Sequence, residues 1–320
     1  MRCIGVMTSG GDSPGMNAAI RAVVRTGIAK GLTVKAIRRG FAGLLDGDIR
    51  EMGVRDVSGI IQRGGTVLQT ARCPEFKDPK GQRLGLRRLN EEDIEGLVVI
   101  GGDGSLRGGL ALHNLGVPVV GVPGSIDNDI ADTDMSLGVD TALNTILRAL
   151  DALRDTAASH ERAFLIEVMG RKCGYLATVG GILGGAEMIA IPERPFALED
   201  VADVVQDAYI KGKNHALIVV AEGANHGISE IADFLREHQV DFEVRVTILG
   251  HVQRGGRPSA FDRQLGTRMG VAAVKELLAG SSGVMIALSG RKMTPVSIEE
   301  ATGRQREVSG EFLEIFSYVS

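Results

Sequence analysis

Residues 97–122 read LVVIGGDGSLRGGLALHNLGVPVVGV. Leu97 to Ile100 is a continuous apolar run of strand length. Gly101-Gly102-Asp103-Gly104-Ser105 breaks it with turn residues, Leu106 to Leu115 has helical spacing, Gly116 stops that helix, and Val117 to Val122 is apolar again. Two apolar strands joined by one helix make a βαβ unit. Strands that are apolar throughout belong to a parallel sheet covered on both faces. Ligands of such sheets gather beyond the carboxyl ends of the strands, where the Gly and Asp residues lie here.

The same cadence extends outward. Cys3 to Met7 reads as a strand, a Gly-rich turn follows, and Asn17 to Ala29 reads as a helix that Gly31 closes. A long helix is expected from Thr141 to Ala158, with Leu143, Ile146, Leu147, Leu150 and Leu153 on one face. A second alternating series follows, with strands at Phe164–Val168, Met188–Ile191, Leu217–Ala221 and Val244–Leu249. Beyond it, Phe261 to Leu278 is a helix, and the strand Val284–Leu288 can complete either sheet. The reading is α/β, in two domains between which the chain crosses twice.

With 320 residues, 44% hydrophobic and 24% charged, the chain is globular and long enough for two cores. A net charge of −4 and no basic run with interleaved aromatics argue against a nucleic-acid surface. No apolar run approaches the roughly 20 residues that cross a bilayer, so no membrane association is expected and the chain is expected to be cytoplasmic. Cys3, Cys73 and Cys173 are odd in number and lack CxxC spacing, which argues against a disulfide framework or a zinc site.

Four stretches carry candidate chemistry. Thr8-Ser9-Gly10-Gly11-Asp12-Ser13-Pro14-Gly15 joins strand to helix, where free amides attract a phosphate or simply close a turn; it is neither a P-loop nor GxGxxG. In Gly101–Ser105 the carboxylate of Asp103 either reaches a polyphosphate through a bridging Mg²⁺ or caps the next helix. Val122-Pro123-Gly124-Ser125-Ile126-Asp127-Asn128-Asp129 ends a strand on a hydroxyl and two carboxylates. Asp127 and Asp129, two apart, are expected on one side of an extended segment. An EF-hand is excluded, because no Glu stands twelfth from Asp127 or Asp132. Proton abstraction with hydroxyl support and a solvated polar turn both remain open. Finally, Arg162, Arg171, Arg245, His251 and Arg254 stand at strand ends, singly surface charges but jointly a phosphate-capturing set. Glu222 follows a strand and reads either as a ligand for a sugar hydroxyl or as a surface carboxylate.

TSGGDSPGMNAAIR (8–21), GGDGS (101–105), PGSIDND (123–129), EVMGR (167–171) and LGHVQRGG (249–256), in this order, resemble the bacterial ATP-dependent 6-phosphofructokinase family over nearly the whole chain. The resemblance implies two Rossmann-like three-layer α/β domains with mainly parallel sheets. Residues 1–138 plus about 253–303 would bind ATP, and 139–252 plus about 304–320 would bind fructose 6-phosphate. It places Gly11, Arg72, Cys73, Gly102, Asp103, Gly104, Ser105, Arg107 and Gly108 at ATP, with Asp103 near Mg²⁺. It places Ser125, Asp127, Asp129, Arg162, Met169, Gly170, Arg171, Glu222, Arg245, His251 and Arg254 at the sugar phosphate and the reaction. By the same resemblance Asp127 is the base, Arg171 and Arg72 stabilise the transferring phosphoryl group, and Gly11 belongs to the catalytic set. Arg162 and Arg245 would reach in from a neighbouring subunit of a homotetramer.

Relatives that use pyrophosphate place Asp at the position matching Gly104 and Lys at the one matching Gly124. Glycine at both positions implies ATP as donor. Arg21, Arg25, Arg154, Gly185, Glu187, Lys211 and Lys213 match the family's effector site, where ADP activates and phosphoenolpyruvate inhibits. Two departures stand out: Ser125, where most close relatives have Thr, and Gly59, where some have Asp.

Overall fold

The computed structural model describes residues 1–159, 162–238, 240 and 242–319; Ser320, at the end of the second expected domain, lies outside the described residues. The first elements are β1 (Cys3–Ser9), α1 (Met16–Ala29), β2 (Thr33–Ile37), α2 (Gly40–Asp46), β3 (Ile49–Glu51), α3 (Pro79–Glu91), β4 (Gly96–Gly101), α4 (Asp103–Asn114), β5 (Val119–Pro123) and α5 (Val139–Ala158). There follow β6 (Arg162–Val168), α6 (Tyr175–Gly184), β7 (Met188–Ala190), α7 (Leu198–Ile210), β8 (His215–Ala221), α8 (Ile228–Glu237) and β9 (Glu243–Ile248). The chain ends with α9 (Ala260–Ala279), β10 (Val284–Ser289), β11 (Lys292–Ser297), α10 (Ile298–Gly303) and α11 (Gly310–Val319).

Two compact units result. Unit 1 contains Met1–Ile126, Ile130–Thr141 and Arg254–Gln305, and unit 2 contains Asp127–Asp129, Ala142–Gln253 and the chain from Arg306 onward. Unit 1 holds a seven-stranded sheet in the order β11-β10-β5-β4-β1-β2-β3, parallel except for the antiparallel edges β3 and β11. Side chains alternate across it, as a pleated strand requires. Ile4, Val6, Val98, Ile100, Val120 and Val122 pack with α1 and α9 on one face. Met7, Leu97, Val99 and Val119 pack with Phe41, Phe76 and Leu112 on the other. In register, Ser9 lies beside Gly101 and Gly101 beside Pro123, so the loops after β1, β4 and β5 leave the same sheet edge.

Unit 2 holds a four-stranded parallel sheet in the order β7-β8-β6-β9. Ala163, Leu165, Ile218 and Val220 pack against α7 and α8. Val168 pairs with Ala221 and Glu167 with Ile248, so the loops after β6, β8 and β9 also share an edge. The strand expected at Val284–Leu288 is β10, and it joins the first sheet beside β5.

Candidate active site

In unit 1 the turn after β4 is short because α4 starts at Asp103, three residues before the expected Leu106. Gly102 is the N-cap and offers no side-chain cap, so the capping alternative for Asp103 does not hold. Asp103 instead lies in the first helical turn, where the helix dipole favours a carboxylate. Both of its oxygens accept from Arg107 Nε, at 3.0 and 3.2 Å, and Arg107 Nη2 donates to the Thr302 carbonyl. Arg107 therefore holds the carboxylate in place.

Ser105 is buried beneath Gly10 and Gly101. Gly104 faces outward, with nothing within 4 Å of where a side chain would begin. Gly108 abuts the Phe41 ring, and Gly11 lies under the Arg254 guanidinium. Arg72 is exposed and Cys73 half-buried, both just before the 3-10 turn Pro74–Lys77. Burial pushes the Cys73 thiol up.

The loop that leads to Arg72 is fastened by residues the sequence reading passed over. Asn17, fully buried, donates to the carbonyls of Arg63 (2.9 Å) and Gly64 (3.2 Å) and accepts from Val67 N (2.8 Å). Thr8 Oγ1 reaches Thr66 Oγ1 at 2.8 Å and the Gln69 carbonyl at 3.1 Å. Asn17 lies inside the quoted TSGGDSPGMNAAIR stretch, but its partners lie some fifty residues on, and no local pattern announces them.

Among the described residues no group of three or more His, Cys, Asp or Glu side chains is arranged to hold a metal ion. A Mg²⁺ carried by a nucleotide does not need one, since it keeps waters and phosphate oxygens and takes one or two protein carboxylates. A single half-exposed Asp103 fits that demand.

The end of β5 carries Ser125 and the two carboxylates. Ser136 Oγ donates to the Ser125 carbonyl at 2.6 Å, which holds the backbone there. Asn128 has φ 52, so the chain turns between Asp127 and Asp129. The extended segment expected to set both carboxylates on one side is therefore absent. Asp127 and Asp129 belong to unit 2, as does Arg171, whose Nε lies 3.2 Å from Asp127 Oδ2. The Asp127 side chain is only 2% exposed and that of Arg171 is 59% exposed, which buries the carboxylate and leaves the guanidinium accessible.

Beyond β6, Glu222 Oε1 accepts from Gly170 N (3.3 Å) and Arg171 N (2.8 Å), and Gln253 Oε1 accepts from Met169 N (3.2 Å). Burial, with Glu222 nearby, raises the Glu167 carboxyl above its ordinary range. Burial likewise pushes the Cys173 thiol, beside the Asn128 carbonyl, up to about 11. His251 is exposed in the 3-10 turn Gly250–Arg254.

Arg162 opens β6 and Arg245 lies inside β9, so neither stands at the carboxyl end of a strand as expected, and the two share one carboxylate that the sequence reading missed. Glu243 Oε2 accepts from Arg162 Nε at 2.8 Å and Glu243 Oε1 pairs with Arg245 Nη2, which together hold the Glu243 carboxyl below its ordinary range. Glu243 faces Arg162 across the parallel β6–β9 register, a neighbour that only pairing reveals.

The residues matched to an effector site fall in two places. In unit 2, Arg154 Nη2 donates to the Gly185 carbonyl at 2.8 Å and also to that of Gly184, at the end of α6. Lys213 pairs with Glu187 at 3.2 Å, Glu187 also accepts from Leu217 N at 2.7 Å, and Lys211 pairs with Asp207 at 3.6 Å. Arg21 and Arg25 lie one turn apart on α1 in unit 1.

Residues 3–277 match the model of a protein family described as phosphofructokinase. A Thermotoga neapolitana protein named ATP-dependent 6-phosphofructokinase is 51% identical over 321 residues, covering all of both chains. The ATP-dependent 6-phosphofructokinase 1 of Thermus thermophilus is 51% identical over 98% of each chain. The solved phosphofructokinase of Saccharomyces cerevisiae superposes with a TM-score of 0.88 at 40% identity, over 95% of this chain and 45% of the yeast chain. A pyrophosphate-dependent phosphofructokinase from Marinobacter aquaeolei shares the fold, with a TM-score of 0.88 at 20% identity over all of this chain and 91% of its own. With half of all positions identical from end to end, and loops from one edge of each sheet carrying the quoted motifs, the chain belongs to the phosphofructokinase family.

Proposed function

We propose that the chain transfers the γ-phosphoryl group of ATP to the 1-hydroxyl of fructose 6-phosphate, releasing ADP and fructose 1,6-bisphosphate as a step of glycolysis in the cytoplasm. The observation that carries this reading is the Asp127–Arg171 pair, a carboxylate withdrawn from solvent and tied to an accessible guanidinium. In the step itself, the hydroxyl oxygen attacks the γ-phosphorus and the bond to the β,γ-bridging oxygen breaks. Asp127 takes the hydroxyl proton. Arg171 and Arg72 balance charge on the transferring oxygens, and the Ser125 hydroxyl donates to them. Asp129 supports the base.

Gly11, Gly102 to Ser105, Arg107 and Gly108 would line the ATP site, with residues 1–138 and about 253–303 as the ATP-binding domain. Mg²⁺ would be held at Asp103 and would neutralise charge between the ATP phosphates. The open space at Gly104 and the absence of a cation at Gly124 support ATP as donor, as does the ATP dependence in the relatives' names. Met169, Gly170, Glu222, His251 and Arg254 would bind the sugar phosphate, with 139–252 and about 304–320 as its domain. Arg162 and Arg245 would serve a neighbouring subunit's substrate in a homotetramer. Ile248, 58% exposed on the edge strand β9, and Val252, 64% exposed beyond it, supply apolar surface that such a neighbour would cover.

ADP and phosphoenolpyruvate would act from Arg21, Arg25, Arg154, Gly185, Glu187, Lys211 and Lys213. The charged cluster of Arg154, Glu187 and Lys213 around the end of α6 supports that assignment.

The test is a coupled assay with ATP, Mg²⁺ and fructose 6-phosphate on the wild type and on Asp127→Asn. Loss of the base should lower kcat on the order of a hundredfold or more. A near-normal rate for the variant would overturn the assignment, and faster turnover with pyrophosphate than with ATP would overturn the donor.

A further inference from the structure

We propose that Glu222 is a positioning residue, whose carboxylate clamps the turn that aims Arg171 at Asp127. The turn is one the chain does not adopt easily. Gly170 has φ 142, open chiefly to glycine, and Arg171 follows in the left-handed region at φ 53. A non-glycine residue held there persists only where its surroundings over-determine it.

The surroundings here are specific. Three successive amides, of Met169, Gly170 and Arg171, all donate to side chains: the first to Gln253 Oε1 and the other two to one oxygen of Glu222. Consecutive amides turned the same way form a concave anion-binding nest. In this chain the protein's own carboxylate occupies it. Glu222 is itself anchored, since its amide donates to the Val168 carbonyl at 2.9 Å, and Cys173 N closes the far side of the turn on the Gly170 carbonyl at 2.9 Å. The turn that carries Arg171 is thus held by Gln253, Glu222 and Cys173, and the Arg171 side chain leaves it to meet Asp127 Oδ2 at 3.2 Å. A ligand for a sugar hydroxyl has no need to hold two amides, whereas a clamp does.

The inference rests on the reading of Asp127 and Arg171 as catalytic, and its test separates the two. Glu222→Ala and Glu222→Gln are prepared in the full chain, and amide hydrogen exchange across residues 169–172 is measured without ligand. Thermal unfolding serves as the check on folding. Steady-state kinetics with ATP and fructose 6-phosphate are measured in parallel. Alanine should expose the amides of Gly170 and Arg171 to exchange and lower kcat by roughly ten- to a hundredfold, the scale of a small displacement of a catalytic group. Glutamine keeps an acceptor oxygen, so it should restore amide protection and recover kcat relative to alanine. A Glu222→Ala enzyme with protected amides, an unchanged kcat and a raised KM for fructose 6-phosphate would overturn the clamp and leave only substrate binding. Lost protection in Glu222→Ala, in a protein whose wild type does not phosphorylate fructose 6-phosphate, would uphold the clamp and sink the functional reading.

Discussion

Ser125 and Asp127 stand two apart, yet different neighbours hold them. The Ser125 backbone is fixed by Ser136, and Asp127 is fixed by a guanidinium 44 positions further along the chain. From the sequence alone VPGSIDND has two readings, because Asp, Asn, Ser and Gly are also what a solvated turn is made of. The turn is real, with Asn128 left-handed at its centre, but Asp127 is buried within it. Burial and pairing come from tertiary contacts, which no local pattern encodes. Ser125 keeps the hydroxyl of threonine and lacks the methyl that restricts its rotamer. Ser125→Thr should therefore change kcat little. Ser125→Ala should lower it roughly a hundred- to a thousandfold, the scale for losing one donor to developing charge. Steady-state rates of the three proteins check this, and equal rates would make the hydroxyl idle.

Among the elements, the apolar strands and long helices were legible and the stretch from Thr33 to Glu91 was not. The reason is clearest in α3, PKGQRLGLRRLNE, where the buried positions four apart are Gly81, Gly85 and Leu89. Two of the three are glycines packed against Glu75, Phe76 and Leu44, so the face that touches the core carries almost no apolar signal. The start of α5 hides a second device. Asp262, in the first turn of α9 and fully buried, accepts from Gly138 N and Thr141 N at 2.9 Å and from Thr141 Oγ1 at 2.5 Å. It thereby caps a helix whose start lies more than 120 residues earlier in the chain. Asp262→Ala would strand these donors at a buried site, at a cost of about 1–3 kcal/mol. Equilibrium unfolding in denaturant measures it, and an unchanged midpoint would refute it. Burial also outweighs these bonds and pushes the Asp262 carboxyl up to about 6 from an ordinary 3.8. The folded state therefore holds the proton more tightly than the unfolded chain does. That contribution is complete below about pH 4 and is lost as pH rises through about 6. Stability followed from pH 4 to 7 should fall less steeply in Asp262→Asn than in the wild type.

At the scale of the molecule, alternation of strand and helix identified the α/β class, but the partner of the last strands could not be read. Val284–Ser289 is equally apolar whichever sheet it joins, and its place beside β5 is settled by pairing across more than 150 residues of chain. The same limit applies to the residues matched to an effector site. Arg21 and Arg25, four apart on α1, look like any exposed basic helix face. In unit 2, Arg154 rests on the carbonyls that end α6, where a cation suits the helix dipole, and Lys213 rests on Glu187. On the effector reading proposed above, an anionic effector would have to compete with those partners for the two cations, and its binding would be coupled to rearrangement at the end of α6 and the start of β7. If ADP and phosphoenolpyruvate share these residues, removing the two α1 guanidiniums should weaken both effectors together. Losing one or two charge-assisted phosphate contacts, each worth about 1.5–3 kcal/mol, should raise the concentration for half effect by tenfold or more. The measurement is a titration of phosphoenolpyruvate and of ADP against the wild type and the doubly substituted Arg21→Ala, Arg25→Ala enzyme at sub-saturating fructose 6-phosphate. A phosphoenolpyruvate curve that does not move would remove the effector assignment from α1, whatever the ADP curve does.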